Sequence, residues 1–329
     1  ILLVCPMKDQ QTGIYLHTTL ITQKHRVAYF DWREITEQVG MVEMNKELVK
    51  AVTQLKPDLT IICKGLGITS KTIEECKKIN NKPIVGWIFD VTLGGTYVKD
   101  SKQYVSFIKS LDKFYTIDDE AVEELKALGV NADYAPEGCF PQANGEQVLN
   151  SYQRRQYGSD IVFVGSVGSI HPNRERILKK LYEDGFNLKI YGDVLYLEGQ
   201  EPEWVKKCHT GYSAINTMHS TICQSAKIVL GIDGWPDRNY SWSARLYRVL
   251  CSNSFYLTTF TKGINEKFEN GVYLDTYKND EEMMEKLLKY LKNDDLRAKI
   301  AENGKKLVLE QYTFEQPLNK IIGDFYPTN

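Results

Sequence analysis

The sequence has no apolar run approaching the ~18 residues that a membrane-spanning helix needs, which argues against a helical transmembrane segment. It has no Cys-x-x-Cys pair. Its seven cysteines (Cys5, Cys63, Cys76, Cys139, Cys208, Cys223, Cys251) are scattered, and no His/Cys cluster has zinc spacing. They read as reduced, mostly buried thiols of a reducing compartment. The opening ILLVCP lacks the basic region and small-residue cleavage site of a signal peptide, so the expected location is cytoplasmic. An excess of either charge is also missing: 41 Lys and Arg against 43 Asp and Glu give a net charge of -2. A polyanionic partner would therefore need a local basic groove. No internal repeat, low-complexity segment or Asp-x-Asp motif is visible.

What is present is a globular composition, 42% hydrophobic and 26% charged over 329 residues. That suffices for about two α/β domains of ~150 residues, each with its own core. Short apolar runs alternate with helix-period segments, the pattern of parallel βαβ units. Ile1 to Cys5, Arg26 to Phe30, Leu59 to Cys63, Ile84 to Phe89 and Phe114 to Ile117 read as strands of one doubly wound sheet. The pattern breaks from Pro136 to Tyr157, where PEGCFPQANGEQ and a polar stretch with Arg154 and Arg155 suggest a linker. DIVFVGS, NLKIYGD, KIVLGI, SFYLT and GVYLD then restart the alternation. After Asp280 the chain reads as helical, with Met283, Met284, Leu287, Leu288 and Leu291 on one face.

The expected fold is therefore α/β: two doubly wound, Rossmann-like domains facing across a cleft, with a C-terminal helical tail. The expected divisions are 1–145, 146–312 and a helix over 313–329 that packs back toward the first domain. Ligands of open α/β sheets bind at the C-terminal ends of strands, so function is sought in the loops that follow them.

In IVFVGSVGSIHPNRERILKKL a buried strand enters a small-residue loop and then a helix. Gly165, Ser166, Gly168 and Ser169 let backbone N–H groups approach a ligand, the helix N-terminus favours an anion, and Arg174 can add a charge-assisted bond to a phosphate. A tight turn with a solvated arginine explains the same residues equally well. Tyr191, Gly192 and Asp193 end the next strand in a turn against which a flat base can lie, although most such turns are only turns. Arg245 opens a helix after a long polar and aromatic loop, and a cation there is disfavoured unless an anion accompanies it. Lys262 and the backbone of Gly263, Ile264 and Asn265 follow the next strand and offer donors to the same cleft, or form an ordinary surface loop.

The run VGSxxxxRxxxLxxLxxxGFxLxIYGD, the later SARLYRVL, and the tail from KGINEKFENG through DEEMMEKLLKYLKNDDLRAKIAENGKKLV resemble the CgeB-like GT-B glycosyltransferases. The resemblance implies transfer of a sugar from a nucleotide-sugar donor, UDP-sugar favoured, to an acceptor hydroxyl, with retention and without a metal. It places the donor in the C-terminal domain and an acceptor, either a glycan or surface component or a hydroxymethylated DNA base, in the N-terminal one. Two segments of the first half also correspond: ICKG, with Lys64, and VGWIFDV, which resembles a Trp-x-x-Asp segment and puts Asp90 at a strand end. A carboxylate there can hold or deprotonate an acceptor hydroxyl, provided it lies within hydrogen-bond reach. One departure stands out. Where the family has Arg-x-x-Glu, this chain has Arg245-Leu246-Tyr247-Arg248, and arginine has no acceptor to offer a ribose. A nucleotide-sugar epimerase or hydrolase, or a sugar-nucleotide-binding protein without activity, therefore stays open beside the transferase.

Overall fold

The computed structural model describes residues 1–7, 11–90, 102–168, 171–197, 199–212, 214–233 and 238–327. Ser169, expected in a ligand-binding loop, lies outside them. The strands are built from unbroken apolar runs instead of alternating ones, as parallel strands are when helices cover both faces of their sheet. Thr60–Cys63, Ile84–Ile88 and Ile161–Val164 are buried at every position.

The chain divides into two compact units. The first comprises Ile1–Glu137 and Phe314–Asn329. Its strands are β1 (Leu2–Val4), β2 (Ala28–Phe30), β3 (Thr60–Cys63), β4 (Ile84–Ile88), β5 (Lys113–Thr116) and β6 (Ala132–Tyr134). All pair in parallel, in the order β2-β1-β3-β4-β5-β6. The core is formed by Leu2, Val4, Ile62, Ile84 and Ile88 from the strands and by Met44, Leu48, Phe107 and Leu125 from the helices. The late segment is tied into this unit at both ends of its helix, Glu315–Gly323. The rings of Phe314 and Tyr15 are 6.2 Å apart, and Gln23 donates to Asn319 at 2.8 Å. Lys113 pairs with Asp133 at 2.8 Å and Asp324 at 2.7 Å, Lys320 pairs with Asp133 at 2.6 Å, and the Tyr115 hydroxyl donates to Asp324 at 2.7 Å.

The second unit is Gly138–Thr313. Its strands are β7 (Ile161–Val164), β8 (Val167–Gly168), β9 (Leu188–Tyr191), β10 (Val194–Leu195), β11 (Ile228–Leu230), β12 (Tyr256–Thr259) and β13 (Asp275–Tyr277). Five of them form a parallel sheet in the order β13-β12-β11-β7-β9, and β8 pairs with β10 beside it. The chain leaves β7 to one side for β9 and to the other for β11. The switch point of this doubly wound sheet, where such folds bind ligands, therefore lies between the ends of β7 and β11. Apolar clusters cover both faces: Phe163, Ile190, Leu230 and Leu257 belong to one, Val162, Val164, Val229 and Tyr256 to the other.

The polar stretch that reads as a linker is partly helical. Pro141–Asn144 forms one helical turn, and Ser151–Tyr157 is opened by a reciprocal capping box between Asn150 and Gln153. Amide residues mark helix starts as well as loops, and the boundary between the two units, Glu137/Gly138, falls within the stretch. Helix Asp280–Leu291 is capped by Asn279 and carries Asp280, Glu281 and Glu282 in its first turn, complementing the dipole. It buries Met283, Leu287 and Tyr290, whereas Leu288, expected on that face, is half exposed. All seven cysteines are buried and unbridged. Among the described residues no helix is long and apolar enough to cross a membrane.

Candidate functional site

At the switch point of the second unit the sequence has placed two arginines on one aromatic ring. Phe163 is the third residue of β7, fully buried, and the guanidinium of Arg174 sits 5.3 Å and that of Arg245 5.1 Å from its ring centroid. Arg174 comes from the first turn of helix Pro172–Glu183 and Arg245 opens helix Arg245–Cys251. Arg174 spans the switch point: Nη1 donates to the Ser166 carbonyl at 2.7 Å and to its hydroxyl at 3.1 Å, and Nη2 donates to the Ile232 carbonyl at 3.3 Å. Gly165 lets the second arginine in, since a Cβ built on it would lie 2.5 Å from Arg245 Nη2.

The pair is electrostatically unfinished. Arg174 Nε and Arg245 Nη1 are buried without a hydrogen-bond partner. Burial, and then the charge of Arg245, push the Arg174 guanidinium down to about 10, with Asp233 opposing the shift. Burial, Arg174 and Arg245 also lower His171, which immediately precedes the helix that carries Arg174. Two cations stacked on one ring and short of acceptors form a place for an anion with several oxygens.

Other residues expected around a donor are disposed differently. Gly192 packs on Gly165: a Cβ there would stand 2.8 Å from the Gly165 carbonyl oxygen, and its φ of +123° also favours glycine. Tyr191 is fully buried and its hydroxyl donates to the Tyr157 carbonyl at 2.6 Å, so its ring serves the core. Asp193 is exposed, and its carbonyl accepts the Val167 N–H at 2.9 Å. Lys262 is exposed, 3.8 Å from Glu266 and 5.5 Å from the Tyr240 ring centre. The backbone donors after it are occupied. Gly263 N–H donates to the Asn239 carbonyl at 2.8 Å, Ile264 N–H to the capping hydroxyl of Thr261 at 3.2 Å, and Asn265 N–H to the Thr261 carbonyl at 3.1 Å. The loop is a capped helix start whose N–H groups at 263, 264 and 265 are spent on Asn239 and on the Thr261 cap.

Lys64 and Asp90, from the ends of adjacent strands β3 and β4 in the first unit, meet each other: Lys64 Nζ stands 2.6 Å from Asp90 Oδ2. Lys64 has a φ of +62°, and its carbonyl accepts the Tyr104 hydroxyl at 2.7 Å. The carboxylate is thus held by an ammonium through Oδ2.

Phe163, His171 and Asp233 escaped the sequence reading. Phe163 is indistinguishable from core within IVFV, and Asp233 looks like an ordinary turn residue after KIVLGI. His171 offered one usable signal, its place between a glycine-rich loop and Pro172 at a helix start.

Parallel five- and six-stranded sheets in two Rossmann-like units, with a helical C-terminal segment, match the GT-B fold. Within it, residues 174–323 match the family described as glycosyl transferase-like. The fold is shared along the whole chain with HepE of Anabaena, solved with UDP-glucose: 11% identity, TM-score 0.70, covering 100% of this chain and 99% of that one. Sucrose-phosphate synthase of Thermosynechococcus elongatus is similar at 11% identity and TM-score 0.68, over 99% of this chain and 97% of that one. A glycosyltransferase of Rickettsia africae is similar at 9% identity and TM-score 0.67, over 100% and 98%. No curated protein matches the chain in sequence.

Proposed function

We propose that this protein transfers a sugar from a UDP-sugar to an acceptor hydroxyl, binding the donor in the second unit. The observation that carries the reading is the pair Arg174 and Arg245 on Phe163, each with one buried nitrogen that has no hydrogen-bond partner among the described residues. A diphosphate supplies the missing acceptors. As the glycosidic bond breaks, negative charge grows on the leaving diphosphate, and cations already fixed beside it stabilise that charge without reorganising. The two arginines suffice for this step without a metal. UDP is the nucleotide favoured because HepE, alike in fold, was solved with UDP-glucose.

On the acceptor side, Asp90 orients and deprotonates the hydroxyl, and Lys64 steadies the carboxylate. The CgeB-like resemblance supports transfer with retention. Arg248 in place of an acidic residue means that the ribose is held by other acceptors.

The test is calorimetry with UDP-glucose, with sugar release and transfer followed by NMR. Arg174→Ala should weaken binding by roughly 10- to 150-fold, the loss of one charged hydrogen-bonding group at about 1.5–3 kcal/mol. Asp90→Asn should leave donor affinity intact and slow transfer. Donor affinity unchanged in Arg174→Ala would refute the site, and binding without any turnover would favour a sugar-nucleotide-binding protein.

A further inference from the structure

One carboxylate shares the arginine site, and neither the sequence motifs nor the transfer chemistry above accounts for it. Asp233 follows β11 on the opposite side of the switch point from Gly165 and is only 7% exposed. Its Oδ1 accepts a single long bond, from the Ser243 N–H at 3.3 Å. Among the described residues it forms no ion pair, although a buried carboxylate ordinarily requires one. Its own N–H is spent on the Thr259 hydroxyl at 3.3 Å.

The groups facing it can be named from each packed element. Arg245 acts on it from helix Arg245–Cys251 and Arg174 from helix Pro172–Glu183, both favouring the charged form. Tyr256 on β12 and Tyr277 on β13 face it as well. Burial pushes the Tyr256 hydroxyl up to about 12 and raises Tyr277 too, so both are neutral at physiological pH. Burial raises Asp233 itself, and the two arginines offset that only in part. Hydrogen bonds fix Asp233 beside both arginines: the carbonyl of its neighbour Ile232 accepts from Arg174 Nη2 at 3.3 Å, and its own Oδ1 accepts from Ser243, two residues before Arg245.

We propose that Asp233 is a positioning residue: it is the counter-ion of the Arg174–Arg245 pair in the empty site, and it takes up a proton from solvent as the donor's diphosphate occupies that pair. This rests on the donor reading above. A diphosphate diester brings two negative charges to two arginines. With Asp233 ionised the buried cluster then carries a net negative charge, and with Asp233 protonated it is neutral. A like charge in a poorly solvated site favours the neutral carboxyl. Because the proton is gained on binding, affinity rises as pH falls through the interval between the empty-site and bound-site values of Asp233. Above that interval it is flat.

The experiment is calorimetric titration of UDP-glucose at several mildly acidic to mildly alkaline pH values, in buffers of unequal ionisation enthalpy. The phosphodiester groups of UDP-glucose do not titrate there, so any proton consumed goes to the protein. Sulfate, a dianion of a strong acid, is the second probe. Wild type should take up a substantial fraction of a proton with either ligand. Asp233→Asn should lose the uptake, show pH-independent affinity and bind sulfate about tenfold more tightly, the effect of removing one nearby like charge. His171→Gln should retain the uptake. Uptake that survives in Asp233→Asn and disappears in His171→Gln would overturn the proposal and assign the proton to the histidine. Weaker sulfate binding by a folded Asp233→Asn would overturn it too, since the carboxylate would then be bracing the site. If UDP-glucose does not bind while sulfate does with Asp233-linked uptake, the donor reading falls and the counter-ion role stands. If neither ligand binds, both fall.

Discussion

Replacing Arg245 by methionine should make the donor-free protein more stable while abolishing its affinity for UDP-glucose. Methionine keeps most of the unbranched stem and removes the charge. Three terms decide the sign. Arg245 Nη1 is buried without a partner, a cost on the order of 1–3 kcal/mol that the variant recovers. Arg174 is held down from 12.5 to about 10, first by burial and second by Arg245. The repulsion that Arg245 contributes is recovered as well. Against these stand the contact with Phe163, about 0.5–1 kcal/mol, and attraction to Asp233, which the carboxyl escapes by taking a proton. The balance is a gain of about 1–2 kcal/mol, or roughly 3–6 °C in Tm for a unit of this size. Urea and thermal unfolding of the donor-free protein read the gain, and calorimetry reads the lost binding. A variant destabilised by more than about 1 kcal/mol, or one that binds UDP-glucose as wild type does, would show that Arg245 is a structural arginine.

His219 is fully buried against Cys223, 3.6 Å from its sulfur, and burial followed by Arg248 and Arg245 pushes it from 6.5 down to about 3. The unfolded chain protonates this residue below 6.5 and the native state does not until about 3, so stability is full above 6.5 and declines as pH falls across that window. His219→Leu should flatten the acid limb of stability against pH by up to one proton, about 5 kcal/mol at most, and an unchanged slope would refute the buried neutral imidazole. In the first unit, burial alone would raise Asp133, but hydrogen bonds from Lys113 and Lys320 win and hold it at about 2; Asp324 is lowered by the same lysines and Tyr115. Asp324→Asn should cost about 1 kcal/mol at most, given the partial exposure, and should speed amide exchange in Glu315–Gly323. The stabilisation from these carboxylates is present above their ordinary range and is lost as pH falls toward about 2. Exchange in that helix unaffected by the substitution would mean that Phe314 and the apolar face alone hold it.

The strands were readable because two-sided burial leaves runs such as IVFV and TIIC with no polar interruption, a signal contained in a few adjacent residues. Arg174 and Arg245 were readable as candidates because each stands in the first turn of a helix, where for Arg245 a lone cation is unfavourable. What local pattern does not contain is which groups are already engaged. Lys64 and Asp90 were separate candidates in sequence and are one ion pair in space. Tyr191 looked free to stack and is bound to Tyr157, and the amides of Gly263 to Asn265 looked available and are consumed by Thr261 and Asn239. Asp233 went unseen for the same reason, since its meaning comes from arginines 59 positions before it and 12 after it.

The placement of residues 314–327 in the first unit has a consequence for synthesis. Gln23 meets Asn319 across 296 positions of chain, and Lys113 meets Asp324 across 211. The second unit is contiguous and can close as soon as residue 313 has emerged from the ribosome. The first unit, although translated earlier, must wait with helix Gln11–Thr22 lacking its late partner until the chain returns. Such long loop closures are slow to form. A shortened chain ending before residue 314 should therefore impair the beginning of the protein more than the part next to the cut.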